Sequence, residues 1–369
     1  MVPPRWLFVK IETDDGVVGW GEASLEGNSA AVRTVVAQFA EHLVGADPGR
    51  IEDHWQVLTK SGFYRGGAVL ASAVSGVDQA LWDIKGKALG VPVHELLGGA
   101  VRDRIRVYGW VGGDDPSGIA EAIRAQLEVG LTAVKMNASG VMGRLGTVAE
   151  IDAVLDRVTA ARDVLGPNRD VAVDFHGRFT LAGARRIAPL LEPLRPFFIE
   201  EPVVPENSHL ISQLVQSTSI PIATGERLYN RQEFLPVLQA GIAVAQPDLS
   251  HAGGISEVRR IASLAEVYDV QLAPLGPLAL AACLQVGFST PNYLIQEQSI
   301  GIHYNRGAEL LDYVLDKTPL KFVDGSIELL TGPGLGIEID EAAVRAADAS
   351  GHAWRTPVWR HADGALAEW

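Results

Sequence analysis

Between Val107 and Gln298 the sequence alternates short apolar or β-branched runs with helical stretches, and it does so eight times. The runs are VYGWV (107–111), TAVKMN (132–137), VAVDFH (171–176), FFIEEP (197–202), IPIATGE (220–226), VAQPD (244–248), QLAP (271–274) and YLIQEQ (293–298). Strands separated by helices return parallel to one another, so the pattern calls for a parallel sheet covered by helices. Eight repeats is the number at which such a sheet closes into a (β/α)8 barrel. A doubly wound open sheet obeys the same alternation, and alternation alone leaves it open.

The first hundred residues follow another grammar. Trp6–Thr13 and Val17–Glu22 flank Asp14-Asp15-Gly16, whose turn chemistry predicts a hairpin. Helical spacing covers 29–44, 51–60 and 68–88, the last with small and apolar residues three and four apart, as in a buried helix. The chain is therefore α/β: an α+β domain over 1–103, a barrel over 104–320, and a segment over 321–369 that folds back onto the N-terminal part.

With 369 residues, 47% of them hydrophobic and 21% charged, the chain has the composition of a packed globular protein. A net charge of -14 without a basic stripe excludes nucleic acid as the natural partner and leaves small molecules. One cysteine, Cys283, excludes an intrachain disulfide and suits a reducing compartment. No basic segment followed by an apolar core opens the sequence, and no apolar run reaches membrane-spanning length. A cytoplasmic enzyme without a membrane partner is the expectation.

The acids carry the chemistry. Asp174 ends the third run, Glu200 the fourth and Glu226 the fifth, each 26 residues after the last. Equivalent strand ends of a parallel barrel lie side by side, and the C-terminal ends form the active-site mouth. Three carboxylates gathered there repel one another unless a cation intervenes. A hard, oxygen-preferring ion, Mg²⁺, fits that set. Adjacent strand residues face opposite sides, so only one of Glu200 and Glu201 can face the ion, and Glu200 is chosen. His176 lies two residues beyond Asp174 on the same side and is suited to proton transfer. Lys135 and Asn137 on the second run, Asp248 on the sixth and Glu297 on the eighth share the mouth.

Acids ending successive strands in FIEEP and TGE contexts, with the helix ASAVSGVDQALWDIKGKALGVPVHELLGG, resemble the mandelate racemase subgroup of the enolase superfamily. GFYRGG, YGWVGGD, DFHGR, QPDLSHAGGI, EQSIGIHYN and WRHADGALAEW are similar to its galactonate dehydratases, and the likeness runs almost end to end. The resemblance implies a modified TIM (β/α)-barrel under an α+β capping domain formed from both chain ends. It implies Mg²⁺ on Asp174, Glu200 and Glu226, removal of the α-proton of a sugar acid such as D-galactonate, and loss of the β-hydroxyl as water. In that scheme His176 protonates the departing hydroxyl, Glu297 hydrogen-bonds the enediolate, and Asp248 partners a histidine at the end of the seventh strand. Arg65, on a cap loop, and His303 are implied substrate contacts. An even-numbered homo-oligomer, commonly an octamer, is the family habit.

That seventh-strand histidine is missing. Where the resemblance implies Ala-Pro-His-x-Pro-Leu-Gly-Pro, the chain reads Ala273-Pro274-Leu275-Gly276-Pro277. His251, in SHAGG, belongs to the following loop, and the sequence gives no geometric reason for it to substitute. The opening residues that would form a first cap strand ahead of Val2-Pro3-Pro4 are also missing. Three readings stand: a sugar-acid dehydratase, another enolase-superfamily reaction on an acid sugar, or a catalytically disabled relative. A single lysine at Lys135-Met136-Asn137 counts against a racemase or cycloisomerase, which the resemblance equips with a lysine pair there. Trp110, Trp354 and Trp359 are expected mostly in cap–barrel packing.

Overall fold

A computed structural model describes residues 1–112, 116–276, 280–301 and 307–369. The Asp14-Asp15-Gly16 turn closes as its chemistry requires. Gly16 adopts φ 78°, and its N–H donates to the Thr13 carbonyl. It joins β1 (Phe8–Glu12) and β2 (Val18–Glu22) as an antiparallel hairpin. Helices α1 (Ser29–Leu43), α2 (Ile51–Lys60), α3 (Ala68–Leu89) and the single-turn α4 (Val93–Leu96) follow. The hairpin lies directly on α3. A Cβ at Gly21 would stand 2.0 Å from the Gly76 carbonyl, so only glycine permits this approach. Polar side chains of α3 replace a third strand along β2: Gln79 accepts from Glu22 N–H, and Asp83 accepts from Trp20 N–H.

The eight runs become eight parallel strands: β3 (Arg104–Trp110), β4 (Ala133–Asn137), β5 (Asp170–Asp174), β6 (Ile199–Glu200), β7 (Ile222–Thr224), β8 (Val244–Ala245), β9 (Gln271–Leu272) and β10 (Gln296–Gln298). Their spatial order is β10-β3-β4-β5-β6-β7-β8-β9. Leu272 bridges Tyr293 in parallel, just ahead of β10, so the two ends of the path meet. That is a barrel, not the doubly wound sheet. Helices α5 (Pro116–Glu128), α6 (Val148–Leu165), α7 (Leu181–Leu191), α8 (Ile211–Val215), α9 (Arg231–Gln239), α10 (Gly254–Val267) and α11 (Leu280–Ser289) fill the connections.

Strand alternation divides the core in two. Val107, Val134, Val171, Val173, Ile199, Ile222 and Leu272 belong to the core shared with the helices. Tyr108, Ala133, Ala172, Phe198, Ala223, Val244, Ala273 and Ile295, one from each strand run, form a separate buried layer that fills the barrel.

The C-terminal segment divides its contacts. β11 (Ser326–Glu328) pairs antiparallel with β3, and α12 (Glu341–Asp348) holds the cap through Glu341 to Lys10 at 2.9 Å. The last residues touch the cap, with Thr356 against Gly27, and also reach the barrel. The Arg178 guanidinium sits 4.6 Å over the Trp359 ring, and Trp354 and Trp369 stack at 5.9 Å. The tail thus reaches the barrel mouth, which an expectation of return to the N-terminal part alone did not include.

Candidate active site

One step of two residues beyond the buried layer brings each strand to the C-terminal mouth, at β7 from Ala223 to Gly225, with Glu226 one residue further. From Tyr108 the step leads to Trp110, from Ala133 to Lys135, from Ala172 to Asp174, from Phe198 to Glu200, from Val244 to Gln246, from Ala273 to Leu275 and from Ile295 to Glu297. A cavity of about 310 Å³ opens there, lined by Trp110, Lys135, Asn137, Asp174, His176, Glu226, Asp248, Leu275 and Glu297. The cap contributes Arg5, Trp6, Glu22 and Glu26, and the tail contributes Trp369.

The three sequence-predicted ligands arrive on adjacent strands. Asp174 pairs in register with Glu200, and Glu226 follows two residues after β7. Burial pushes the Glu200 carboxyl up to about 8; Lys135 eases this, and the charges of Asp174 and Glu297 add to it. Burial likewise pushes Glu226 well above the usual carboxylate range, reinforced by Glu201, Asp174 and Glu200. Lys135 Nζ lies 2.6 Å from both Glu200 Oε1 and Glu297 Oε2, and Gln246 Nε2 donates to Glu200 Oε2 at 2.7 Å. Burial opposes the Lys135 charge, but Glu200 and Glu297 outweigh it and hold the ammonium protonated.

Among the described residues no group of three or more His, Cys, Asp or Glu side chains is gathered tightly enough to hold a metal ion. Glu200 is turned instead to Lys135 and Gln246. The donor set still fits a hard divalent cation. It is all oxygen, it spans three neighbouring strands, and the Asp174 charge raises the proton affinity of Glu200 while Asp174 and Glu200 raise that of Glu226, a repulsion that a cation relieves.

Glu201 is occupied elsewhere. It accepts from Thr224 Oγ1 at 2.5 Å, from Gly225 N–H at 3.0 Å and from Arg227 Nη2 at 2.6 Å. Burial pushes its carboxyl up, but Arg227 and these donors bring it below the usual range. Glu200 meets Lys135 and Gln246 instead and is not among the residues that line the cavity.

His176 takes φ 52°, an uncommon conformation for a non-glycine residue, directly after β5. Its N–H donates to Asp174 Oδ1 at 2.6 Å, and its Nδ1 lies 2.7 Å from the Trp369 carbonyl. A carbonyl can only accept, so Nδ1 carries the hydrogen and Nε2 is the free nitrogen. Burial lowers the imidazole's proton affinity.

Two candidates fall elsewhere. Arg65 is exposed, donates to the Lys60 carbonyl at 3.1 Å, and borders a surface depression with Trp55 and Arg231 rather than the cavity. His303 lies outside the described residues. Sequence reasoning passed over Glu22, Gln246, Tyr229 and Ser250, and set His251 aside. All but Gln246 line the cavity, and Gln246 holds Glu200. Gln246 and Glu22 carried a usable signal, being a two-residue step below Asp248 and the end of a strand. His251 did not, because a turn delivers it. Its Nε2 lies 3.7 Å from Asp248 Oδ2, and its Nδ1 lies 3.0 Å from Ser72 Oγ on α3. At the seventh strand the cavity-facing residue is Leu275, 4% exposed.

A barrel whose strand ends present acids beneath an α+β cap is the enolase-like architecture. Residues 118–343 match the enolase C-terminal domain-like family, and residues 3–98 match the mandelate racemase / muconate lactonizing enzyme N-terminal domain. The chain belongs to this family of the enolase superfamily. It is 54% identical to a D-galactonate dehydratase of Variovorax paradoxus, over all of this chain and 97% of that protein. It is 52% identical to a D-galactonate dehydratase of Xanthomonas oryzae, over 99% of this chain and 97% of that one. Among solved structures it superposes with a TM-score of 0.89 on a putative galactarate dehydratase from Agrobacterium radiobacter that holds sodium and L-malate. That protein is 35% identical, with 100% of this chain and 98% of that one covered.

Proposed function

We propose that the protein is a Mg²⁺-dependent hydro-lyase that dehydrates a sugar acid, D-galactonate foremost, to its 2-dehydro-3-deoxy acid. The observation that carries this is the register of Asp174 beside Glu200, with Glu226 on the next strand, at the mouth of a cavity that also holds His176. The two dehydratases at 54% and 52% identity support the substrate class. The Agrobacterium relative, which holds a cation and a hydroxy acid, supports the pairing of metal and ligand.

Asp174, Glu200 and Glu226 would hold Mg²⁺, which supplies positive charge that draws in a carboxylate and acidifies the proton beside it. Lys135 and Asn137, on one face of β4, are placed to bind the substrate's oxygens, with the Lys135 charge maintained by its two glutamates. Glu297, in its protonated form, is assigned a hydrogen bond to the enediolate. His176, which must first take up a proton on Nε2, is assigned its delivery to the departing β-hydroxyl, its ring fixed by the Trp369 carbonyl. Asp248 supplies a negative charge beside the group that takes the α-proton. Trp6 and Trp369 line the cavity beside these groups.

The test is incubation of purified protein and Mg²⁺ with a panel of hexonates, reading formation of 2-keto-3-deoxy acid. Product from D-galactonate supports the reading, and product from none of the panel removes it. A second reading, a barrel that binds sugar acids without turning them over, rests on Leu275 at the seventh strand end; calorimetric galactonate binding without product would favour it. A cytoplasmic, even-numbered homo-oligomer, an octamer, completes the proposal, and light scattering gives its mass. Among the described residues no helix is long and apolar enough to cross a membrane.

A further inference from the structure

Dehydration of a hydroxy acid needs two proton transfers on different atoms: one off the carbon beside the carboxylate, one onto the departing hydroxyl. Among the described residues the imidazoles lining the cavity are His176 and His251. His176 follows β5 and His251 follows β8, three strands along the ring, so they approach a bound molecule from different sides. Leu275, which holds the seventh-strand position facing the cavity, carries no group that can take a proton. Lys135 is committed as a cation between Glu200 and Glu297.

His251 sits on a rigid mount. Asp248 accepts the N–H groups of Ser250 on Oδ1 at 2.7 Å and of His251 and Ala252 on its carbonyl at 3.0 and 2.8 Å, which winds the turn that carries the ring inward. The cap grips the far end: Trp55 Nε1 donates to the Gly253 carbonyl at 2.9 Å, and Asp78 accepts from Ser256 Oγ at 2.6 Å and Ser256 N–H at 3.0 Å. Ser72, fully buried on α3, meets Nδ1. A hydroxyl that accepts from Nδ1–H leaves Nε2 with its lone pair on the Asp248 side. At 3.7 Å the Asp248 carboxylate is too far for a hydrogen bond in this state, yet close enough to stabilise an imidazolium once Nε2 gains a proton.

We infer that His251 is the proton acceptor of the reaction, with Asp248 and Ser72 as its positioning residues; the inference rests on the dehydration reading above. The C2–H bond breaks, the proton forms an N–H bond on His251 Nε2, and the electron pair moves into the carboxylate as an enediolate. That pair then forms the C2–C3 double bond while the C3–O bond breaks, and the oxygen leaves as water with the proton from His176. The enol tautomerises to the keto acid. His251 gives its proton to water, and His176 takes one up.

The experiment compares the full-length Mg²⁺-loaded wild type with His251→Gln, His176→Asn and the double variant. The readouts are turnover of galactonate and exchange of the C2 hydrogen in D₂O, with thermal melts confirming that each variant folds. Loss of a general base commonly costs on the order of 10²–10⁴ in rate. His251→Gln is expected to lose that much in kcat with KM little changed. His176→Asn should stop dehydration while C2 exchange continues, and the double variant should lose exchange. Ser72→Ala should shift the pH profile of kcat, whereas Ser72→Thr, which keeps the hydroxyl, should restore it.

If the wild type dehydrates galactonate and His251→Gln does so equally well, the assignment falls and the dehydration reading stands. If the wild type only exchanges C2 hydrogen and His251→Gln does not, the dehydration reading falls and the assignment stands. A wild type that does neither overturns both.

Discussion

Lys135 is the residue on which the charge balance of the mouth turns. It is 2% exposed and lies 2.6 Å from two carboxylates. Removing one member of a buried ion pair leaves uncompensated charge and typically costs about 3–5 kcal/mol. Lys135→Met is therefore expected to lower stability by about that amount at pH 8, read as a fall in the urea midpoint. The loss should shrink toward pH 5, because Glu200, already raised to about 8, then holds a proton and no longer needs the ammonium. A loss independent of pH would show that Lys135 acts through packing instead. Asp174, Glu200 and Glu297 were legible in the sequence, because a strand of period two and a barrel of fixed polarity place every second strand-end residue in the mouth; Glu226 was legible only through the 26-residue repeat, since the step from Ala223 leads to Gly225. Glu201 shows the same rule excluding a neighbour. His251 was illegible, since no periodicity governs the turn wound on Asp248 that turns it inward.

Between elements, the junction of α3 with α10 ties the cap to the loop bearing His251. Asp78 is fully buried there and accepts both Ser256 bonds. Burial raises its carboxyl from the ordinary 3.8 to about 7, and the Ser256 bonds only partly offset this. A folded value above the unfolded one means that the acid favours folding most below pH 3.8 and that this contribution is lost as pH rises through about 7. Denaturant titrations should show wild type losing stability relative to Asp78→Asn between those pH values, by roughly a few kcal/mol. A constant difference would place the Asp78 titration elsewhere. The hairpin–α3 contact makes a simpler prediction. Gly21→Ala would press a methyl onto the Gly76 carbonyl, so a loss of about 1–3 kcal/mol or more is expected, seen as a lower melting temperature. The hairpin, α1 to α3 and all eight barrel runs were readable, because each is set by its own periodicity or turn residues. The glycine seam was not, because its reason lies across the interface.

At the scale of the whole molecule the site is built from every part of the chain: the cap gives Arg5 and Glu22, the barrel gives the acids, and the tail gives Trp369. The tail's course could not be read from the sequence. Its tryptophans have no period, and their partners, Arg178 and His176, lie nearly two hundred residues away. Its removal separates folding from chemistry. Residues 354–369 are mostly exposed and lie outside the barrel's strands and helices, so a chain ending before Trp354 should keep its circular dichroism and melting temperature. His176 would lose the carbonyl that fixes its Nδ1 and the ring that meets it at 6.0 Å, and the cavity would open to water. A misplaced proton donor can cost on the order of 10²-fold in rate, so kcat for sugar-acid dehydration should fall by that order while calorimetric Mg²⁺ affinity changes little. Unchanged kcat would show that the tail only covers the mouth. A parallel fall in Mg²⁺ affinity would show instead that it supports the carboxylates.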